Sequence, residues 1–169
     1  MTKVLAYGTG NMDQLFPECE ITWVDPESSP DEQDWEPGSF DIVYLGHVLQ
    51  FYPRERVSDI VKQFAVFLRP WGELWAVTPS LEWICKTIWK EDEPGIVPYM
   101  MLFGTEQDQH LSGFTMHWLR VALQVSGLTV RKAVSQYLNI PDAEGKVTKV
   151  VQNLVIAIRP KEDPAEAIQ

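Results

Sequence analysis

The fold is decided by the stretch "VLAYGTGNMDQLF", Val4–Phe16, at the start of the chain. Its first four residues are apolar and predict a buried β-strand, which Gly8 and Gly10 follow at once. A glycine directly after a buried strand lets the backbone turn with positive φ and approach a ligand without a Cβ. The dinucleotide fingerprint needs a third glycine, but residue 13 is Asp, which disfavours a nicotinamide enzyme. Three interpretations stay open at this point: a cofactor-binding turn, a decayed version of one, and a tight strand-to-helix turn.

The rest of the chain alternates strand and helix patterns, and then ends in two strands. The patterns predict strands over 4–7, 20–25, 40–45 and 73–79, helices over 53–68, 81–89 and 115–126, and a closing strand pair over 128–137 and 150–160. Such an order predicts a three-layer α/β/α sandwich with a Rossmann-like, mostly parallel sheet and an antiparallel C-terminal strand pair. We expect one domain over residues 1–160 and a disordered tail over 161–169. The Pro, Gly and acid content of 91–98 predicts a linker.

Charge and cysteine content exclude several classes of function. The net charge of −10 argues against a nucleic-acid-binding protein and against binding to anionic membranes. Cys19 and Cys85 lie in apolar surroundings without metal-ligand spacing, which predicts buried free thiols and no metal site. No secretory or membrane segment is recognisable, so we expect a soluble protein of the cytoplasm.

Three segments with chemical potential fall at the predicted carboxyl ends of strands. They are Tyr7–Asn11 after the first strand, Asp25 after the second and Gly46–His47 after the third. Ligands of such sheets bind at the carboxyl ends of the strands, where the strand order reverses. A carboxylate at the end of the second strand suits the two hydroxyls of a ribose. The three segments therefore predict one shared binding site.

The ordered series of motifs resembles the compact class I S-adenosylmethionine-dependent methyltransferases. The resemblance runs from Val4 to about Val130 and includes "VLAYGTGN", "WVDP" and "QHLSGFT". Its most specific part is "GSFDIVYLGHVLQFYPRERVSDIVKQFAVFLRPWGEL", where the family shows a strand, a turn with His-Val-Leu, a helix and Leu-Lys/Arg-Pro-Gly-Gly before another strand. This resemblance implies a methyltransferase-like fold, S-adenosylmethionine as cofactor, and methyl transfer to a small-molecule or protein acceptor.

The resemblance also implies roles for individual residues. Cofactor contacts are expected at Tyr7, Gly8, Gly10, Asp25, Asp34, Trp35, Gly46 and His47. The two glycines of the turn would cradle the methionine part, Asp25 the ribose, and Asp34 with Trp35 the adenine. Gly46 and His47 would lie beside the sulfonium. Where the acceptor must lose a proton, His47 and His110 are the candidate bases.

Departures from the family pattern support a second hypothesis. Ala6 stands where the family has a polar residue, the first crossover is only about ten residues long, and Trp71 replaces a glycine. Several tryptophans, which anchor interfaces when exposed, add to the case for a non-catalytic relative. In this alternative the protein has lost or weakened cofactor binding and binds a partner. Self-association into a homo-oligomer stays open in both hypotheses.

Overall fold

Six strands form a single mixed sheet in this protein. The structure is a computed structural model, and it describes residues 1–24, 34–90, 96–141 and 147–161. The strands are β1 (Lys3–Gly8), β2 (Glu20–Val24), β3 (Phe40–Gly46), β4 (Leu68–Pro79), β5 (Thr129–Pro141) and β6 (Val147–Ile158). They lie in the order β2-β1-β3-β4-β6-β5. Strands β1 to β4 run parallel, whereas β6 pairs antiparallel with both β4 and β5. The predicted fold class is confirmed.

Helices lie on both faces of this sheet. They are α1 (Met12–Leu15), α2 (Val57–Ala65), α3 (Leu81–Lys90), α4 (Ile96–Phe103) and α5 (Met116–Val125). The apolar sides of α2 and α5 pack in one core cluster, and Met12 of α1 packs in the other. Thr115 caps α5 by accepting the Trp118 N–H, and Gly127 follows its end at φ +85°. Within the described residues, no helix has the length and apolar character to cross a bilayer.

The two core clusters follow the alternation of side chains along the strands. In β1, Leu5 and Tyr7 face the cluster of α2 and α5, whereas Val4 and Ala6 face the cluster of α1. Successive strand residues point to opposite faces, so a strand buried on both sides reads as one apolar run. Such a run is what predicted β1 and β3.

Two of the predicted elements differ from the observed ones. The predicted helix over 53–68 is a 3₁₀ turn over Arg54–Arg56 followed by α2, and Leu68 instead begins β4, where it pairs with Phe40. In the predicted linker over 91–98, helix α4 begins at Ile96, while 91–95 lie outside the described residues. All eight residues of α4 are apolar, so no amphipathic pattern marked it as a helix.

Both cysteines are free, as predicted, but neither is fully buried as expected. Cys19 is partly buried, whereas Cys85 is exposed on α3. Asp25 lies outside the described residues, and so does the predicted tail except for Lys161. The domain bounds therefore stay a prediction.

Candidate functional site at the carboxyl edge of the sheet

The carboxyl ends of β1, β3 and β4 bring two of the predicted site segments together. In the sheet register Gly8 lies beside Gly46, and Gly46 lies beside Val77. The Thr9 N–H donates to the Gly46 carbonyl at 2.8 Å, so the glycine turn continues the β1–β3 ladder by one bond. The turn after β1 and the Gly46–His47 segment therefore form one surface.

The glycine at position 8 is required by packing inside the protein. Gly8 has φ +106°, and a Cβ there would overlap the Gly46 carbonyl oxygen and lie 2.5 Å from Val48 Cγ1. Neither neighbour is the flexible end of a long side chain that could move aside. The space that this glycine leaves is thus filled by the adjoining strand and its turn.

Tyr44 on β3 forms the floor of the same turn. Its hydroxyl donates to the Thr9 carbonyl at 3.1 Å, and a Cβ at Gly10 would lie 2.9 Å from that hydroxyl. Burial raises the pKa of Tyr44 to about 12, so the phenol stays a neutral hydrogen-bond donor. Ala6 is fully buried in the same cluster as Tyr44, so the family's polar position is here part of the apolar core.

The open part of this edge is a cleft of about 420 Å³ between the glycine turn and the end of β2. It is lined by Gly10, Asn11, Met12, Asp13 and Trp23. Its volume falls within the range of small-molecule sites, about 300–1,000 Å³. The carboxylate of Asp13 suits a cationic ligand, and the half-exposed indole of Trp23 offers a face for a flat ring or a cation. These residues fit an adenosyl sulfonium cofactor, on the α1 side of the turn.

His47 is held in a strained backbone conformation by three hydrogen bonds. It has φ +54°, its N–H donates to the Val77 carbonyl at 2.9 Å, and its own carbonyl accepts from Gln50 Nε2 at 2.8 Å. The ring Nε2 lies 2.9 Å from Gln152 Oε1. An amide oxygen can only accept, so Nε2 carries the proton and Nδ1 of the neutral ring is unprotonated. Burial lowers the pKa of His47. The hydrogen bond to Gln152 raises this pKa, and the nearby His110 lowers it.

His110 is also held as a neutral imidazole. Its Nδ1 donates to the Met101 carbonyl at 3.0 Å, and its ring packs edge-to-face on Phe51 at 5.3 Å. Burial lowers the pKa of His110, whereas the bond to Met101 and the charge of Asp108 raise it. His110 therefore lies close enough to affect the pKa of His47, and the role of either histidine as a base stays a prediction.

The two predicted adenine contacts, Asp34 and Trp35, stay predictions, and the packing of Trp35 does not favour its assignment. The Trp35 ring packs edge-to-face against Phe67 at 5.4 Å and against Phe40 at 6.2 Å. Phe40 begins β3, and seven residues of strand place it about 20 Å from Gly46. The Trp35 ring therefore packs in the core toward the opposite edge of the sheet. Asp34 precedes it and is exposed.

Tyr7 and Asp25, the other predicted contacts, stay predictions. The Tyr7 ring is buried, stacks on Phe64 at 5.1 Å and exchanges a hydrogen bond of 2.9 Å with the Tyr52 hydroxyl. That ring belongs to the core below the site. Asp25 follows β2 directly in the sequence and lies outside the described residues.

Sequence reasoning missed Tyr44, Gln152 and Trp23. Gln152 reaches His47 from β6, a strand more than one hundred residues away, and no local pattern indicates that register. Tyr44 reads simply as one member of an apolar strand. Trp23 had a usable signal, since it lies two residues before the predicted ribose ligand. Among the described residues, no three His, Cys, Asp or Glu side chains converge as a metal site would require.

Comparisons with known proteins support the fold through structure alone. No protein-family model and no curated protein matches this chain at a significant level. Solved structures do match, among them an S-adenosylmethionine-dependent methyltransferase of Methanosarcina mazei, at 16% identity and a TM-score of 0.57, covering 95% of this chain and 93% of that one. Another such methyltransferase, from Archaeoglobus fulgidus, is 10% identical with a TM-score of 0.57, and the match covers 94% of this chain and 86% of that one. A chain from a Haloferax volcanii complex between the Trm112 methyltransferase activator and a methyltransferase is 13% identical with a TM-score of 0.60, covering 95% and 83%. The chain has a class I methyltransferase-like fold.

Proposed function

We propose that this protein binds S-adenosylmethionine at the carboxyl-edge cleft and transfers its methyl group to a small-molecule or protein acceptor. The observation that carries the proposal is the juxtaposition of that cleft with a glycine turn at the end of β1, in a methyltransferase-like fold. When bound, the cofactor supplies an electrophilic methyl group on a cationic sulfur. In-line displacement needs chiefly the positioning of two reactants and the exclusion of water.

The described residues have distinct roles in this proposal. Asp13 would favour the positive charge of the cofactor, and Trp23 would pack against its flat or cationic part. Asn11 fixes the cleft wall, because its Oδ1 accepts the Gln14 N–H at 3.2 Å and caps α1. We assign the ribose hydroxyls to Asp25, which follows the cleft strand in sequence.

A proton acceptor is needed only if the methyl acceptor must lose a proton. His47 and His110 are both neutral and both retain one unprotonated ring nitrogen. His47 lies directly after β3, in the same surface as the glycine turn, so we place the base role there first. An oxygen or nitrogen nucleophile with a removable proton is the acceptor chemistry that this pair suits.

The closed glycine turn favours a second candidate function. Gly8 and Gly10 are filled by Gly46, Val48 and Tyr44 of the protein itself, so the turn has a structural reason without any ligand. Trp71 and Trp89 are 61% and 90% exposed, as expected of interface anchors. The alternative is a non-catalytic methyltransferase-like protein that binds a partner, in the way that the Haloferax relative assembles with an activator.

Calorimetric titration with S-adenosylmethionine and S-adenosylhomocysteine separates the candidates. The proposal predicts saturable binding that Asp13→Asn weakens about tenfold, since one charge-assisted contact of about 1.4 kcal/mol is lost. Glu36→Gln, an exposed acid away from the cleft, is the matched control and should bind as the wild type does. No binding heat at millimolar cofactor would end the proposal.

Turnover is measured separately, as the release of S-adenosylhomocysteine in the presence of candidate acceptors. Binding together with turnover supports the transferase. The second candidate is favoured if the protein binds the cofactor, methylates no amine, hydroxyl or protein acceptor, and co-purifies with a partner.

A further inference from the structure

β5 is a long edge strand whose outer side is covered by no described strand. It is the last strand in the sheet order and spans thirteen residues, whereas the opposite edge strand, β2, has five and begins with Glu20. In an edge strand, alternate backbone N–H and C=O groups point away from the sheet. Such an edge is a template for pairing with another strand unless charge, proline or a bulge protects it.

A bulge and charge protect the amino-terminal end of β5, and Pro141 is its last residue. A bulge interrupts the register between Val130 and Lys132, and Arg131 forms an ion pair with Glu73 at 2.9 Å. The following stretch, Ala133–Ile140, reads "AVSQYLNI" and contains no charge, proline or glycine. Within it Tyr137 is 69% and Leu138 is 40% exposed. An uncharged strand of eight residues with an open side is unusual for a monomer.

We propose that Ala133–Ile140 is a dimerisation edge, which pairs antiparallel with the same stretch of a second copy of this chain around a two-fold axis near Gln136. The distribution of charge supports a second copy as the occupant. Although the whole chain carries −10, the residues of β5 include two cations and no acid. Two copies that meet at this edge therefore avoid bringing their acidic surfaces together. Nucleic acid and anionic membranes are disfavoured by the same net charge.

Charge also determines the orientation of the two strands. Parallel pairing in register would place Arg131 and Lys132 beside their own copies, which is destabilising. Antiparallel pairing around Gln136 separates the two Lys132 residues by eight strand positions, about 27 Å. That distance exceeds the Debye length of about 8 Å at physiological salt, so the cations no longer repel each other appreciably.

Side-chain pairing agrees with this register. A two-fold axis at Gln136 places Val134 opposite Leu138 of the second copy, and Ser135 opposite Tyr137 of the second copy. Val134 and Leu138 lie on the same face of the sheet, two positions to either side of Gln136. The dimer therefore buries two apolar pairs related by the axis, in addition to about eight main-chain hydrogen bonds over the paired stretch.

Sedimentation velocity over the micromolar range tests the proposal on the full chain. The wild type should show a concentration-dependent dimer. The variant Ser135→Lys/Tyr137→Lys places like charges opposite each other twice and should weaken the dimer about tenfold or more. Val125→Lys, at an exposed apolar position on α5, is the matched control and should remain dimeric. Circular dichroism verifies that each variant is folded.

The charge-exchange variant Ser135→Lys/Tyr137→Glu tests the register. It places opposite charges across the axis and should restore the dimer. A wild type that remains monomeric, or that pairs only with a strand of a different protein, overturns the proposal. So does a dimer that survives Ser135→Lys/Tyr137→Lys, since it must use another surface. A dimer that Ser135→Lys/Tyr137→Glu fails to restore overturns the two-fold register at Gln136.

Discussion

Gly8→Ala is expected to destabilise the protein in the absence of any ligand. A glycine after the first strand can serve a cofactor, which needs close approach to the backbone, or the protein itself. In this structure a Cβ at position 8 would overlap the Gly46 carbonyl oxygen and crowd Val48. The cost of the substitution therefore falls on folding, whether or not a cofactor binds.

The expected loss of unfolding free energy in Gly8→Ala follows from three contributions. Alanine at a φ of +106° costs about 1–2 kcal/mol relative to glycine. Displacing the Gly46 carbonyl weakens its 2.8 Å hydrogen bond with Thr9, worth about 1 kcal/mol. Overpacking against Val48 adds about 1–3 kcal/mol. The free energy of unfolding should thus fall by about 3–6 kcal/mol, a large part of the about 5–15 kcal/mol typical of a domain.

Gly127→Ala is the matched control, because Gly127 also has positive φ, +85°, but a Cβ there meets nothing within 4 Å. It should cost only the backbone contribution of about 1–2 kcal/mol. Thermal and urea unfolding of the ligand-free proteins should place Gly8→Ala below Gly127→Ala by about 5–15 °C, at about 2–4 °C per kcal/mol for a chain of this size. If the two variants melt together, the contact between Gly8 and Gly46 does not constrain the fold, and the reasoning fails.

Three further perturbations test separate parts of the structure. Tyr44→Phe should lower the free energy of unfolding by about 1 kcal/mol. Burial raises the pKa of Tyr44 to about 12, so the unfolded chain loses this proton at lower pH than the folded chain does. In urea titrations the stability of the wild type should therefore fall between about pH 10 and pH 12, and the variant should lack this fall. His47→Asn, in which the new residue tolerates positive φ, should make the stability of the protein less sensitive to acid. Burial lowers the pKa of His47 from 6.5, so below pH 6.5 the unfolded chain binds a proton that the folded chain does not, and wild-type stability falls. Urea midpoints measured near neutral and at mildly acid pH would show this difference. Arg159→Gln should lower the free energy of unfolding by about 1–2 kcal/mol, because the Arg159 guanidinium donates to the Val66 and Leu68 carbonyls after α2. Lys161→Gln, at an exposed position, is the control, and equal unfolding midpoints for the two variants would contradict the prediction.

The fold was largely predictable because its signals are local. The apolar runs of β1 and β3, the cap at Thr115 and the glycine after α5 each specify an element within about ten residues. Errors occurred where a neighbouring strand overrides local preference. Leu68 continues the apolar stripe of α2 in the sequence, yet it pairs with Phe40 and begins a strand.

The site was less predictable because its contacts join distant strands. The sequence gives the carboxyl-edge position of Gly8 and of Gly46–His47, since parallel strands end at one edge. It gives neither the reach of Gln152 across β4 nor the packing of Trp35 at the far edge. Both depend on register and on loop paths, which periodicity leaves undetermined.

The glycine motif shows why one pattern supports two functions. A strand-terminal glycine is required wherever any atom approaches the backbone too closely for a Cβ. That atom can belong to a cofactor or to a carbonyl of the next strand, and either one excludes a side chain. In this protein that carbonyl is Gly46, and the Tyr44 hydroxyl occupies the corresponding space under Gly10. In the proposed function, a cofactor would therefore bind to the rim formed by residues 10–13 and Trp23, rather than within the turn. Its binding would depend on Asp13 and Trp23 more than on Gly8, so affinity should respond to substitutions of the rim while stability responds to Gly8.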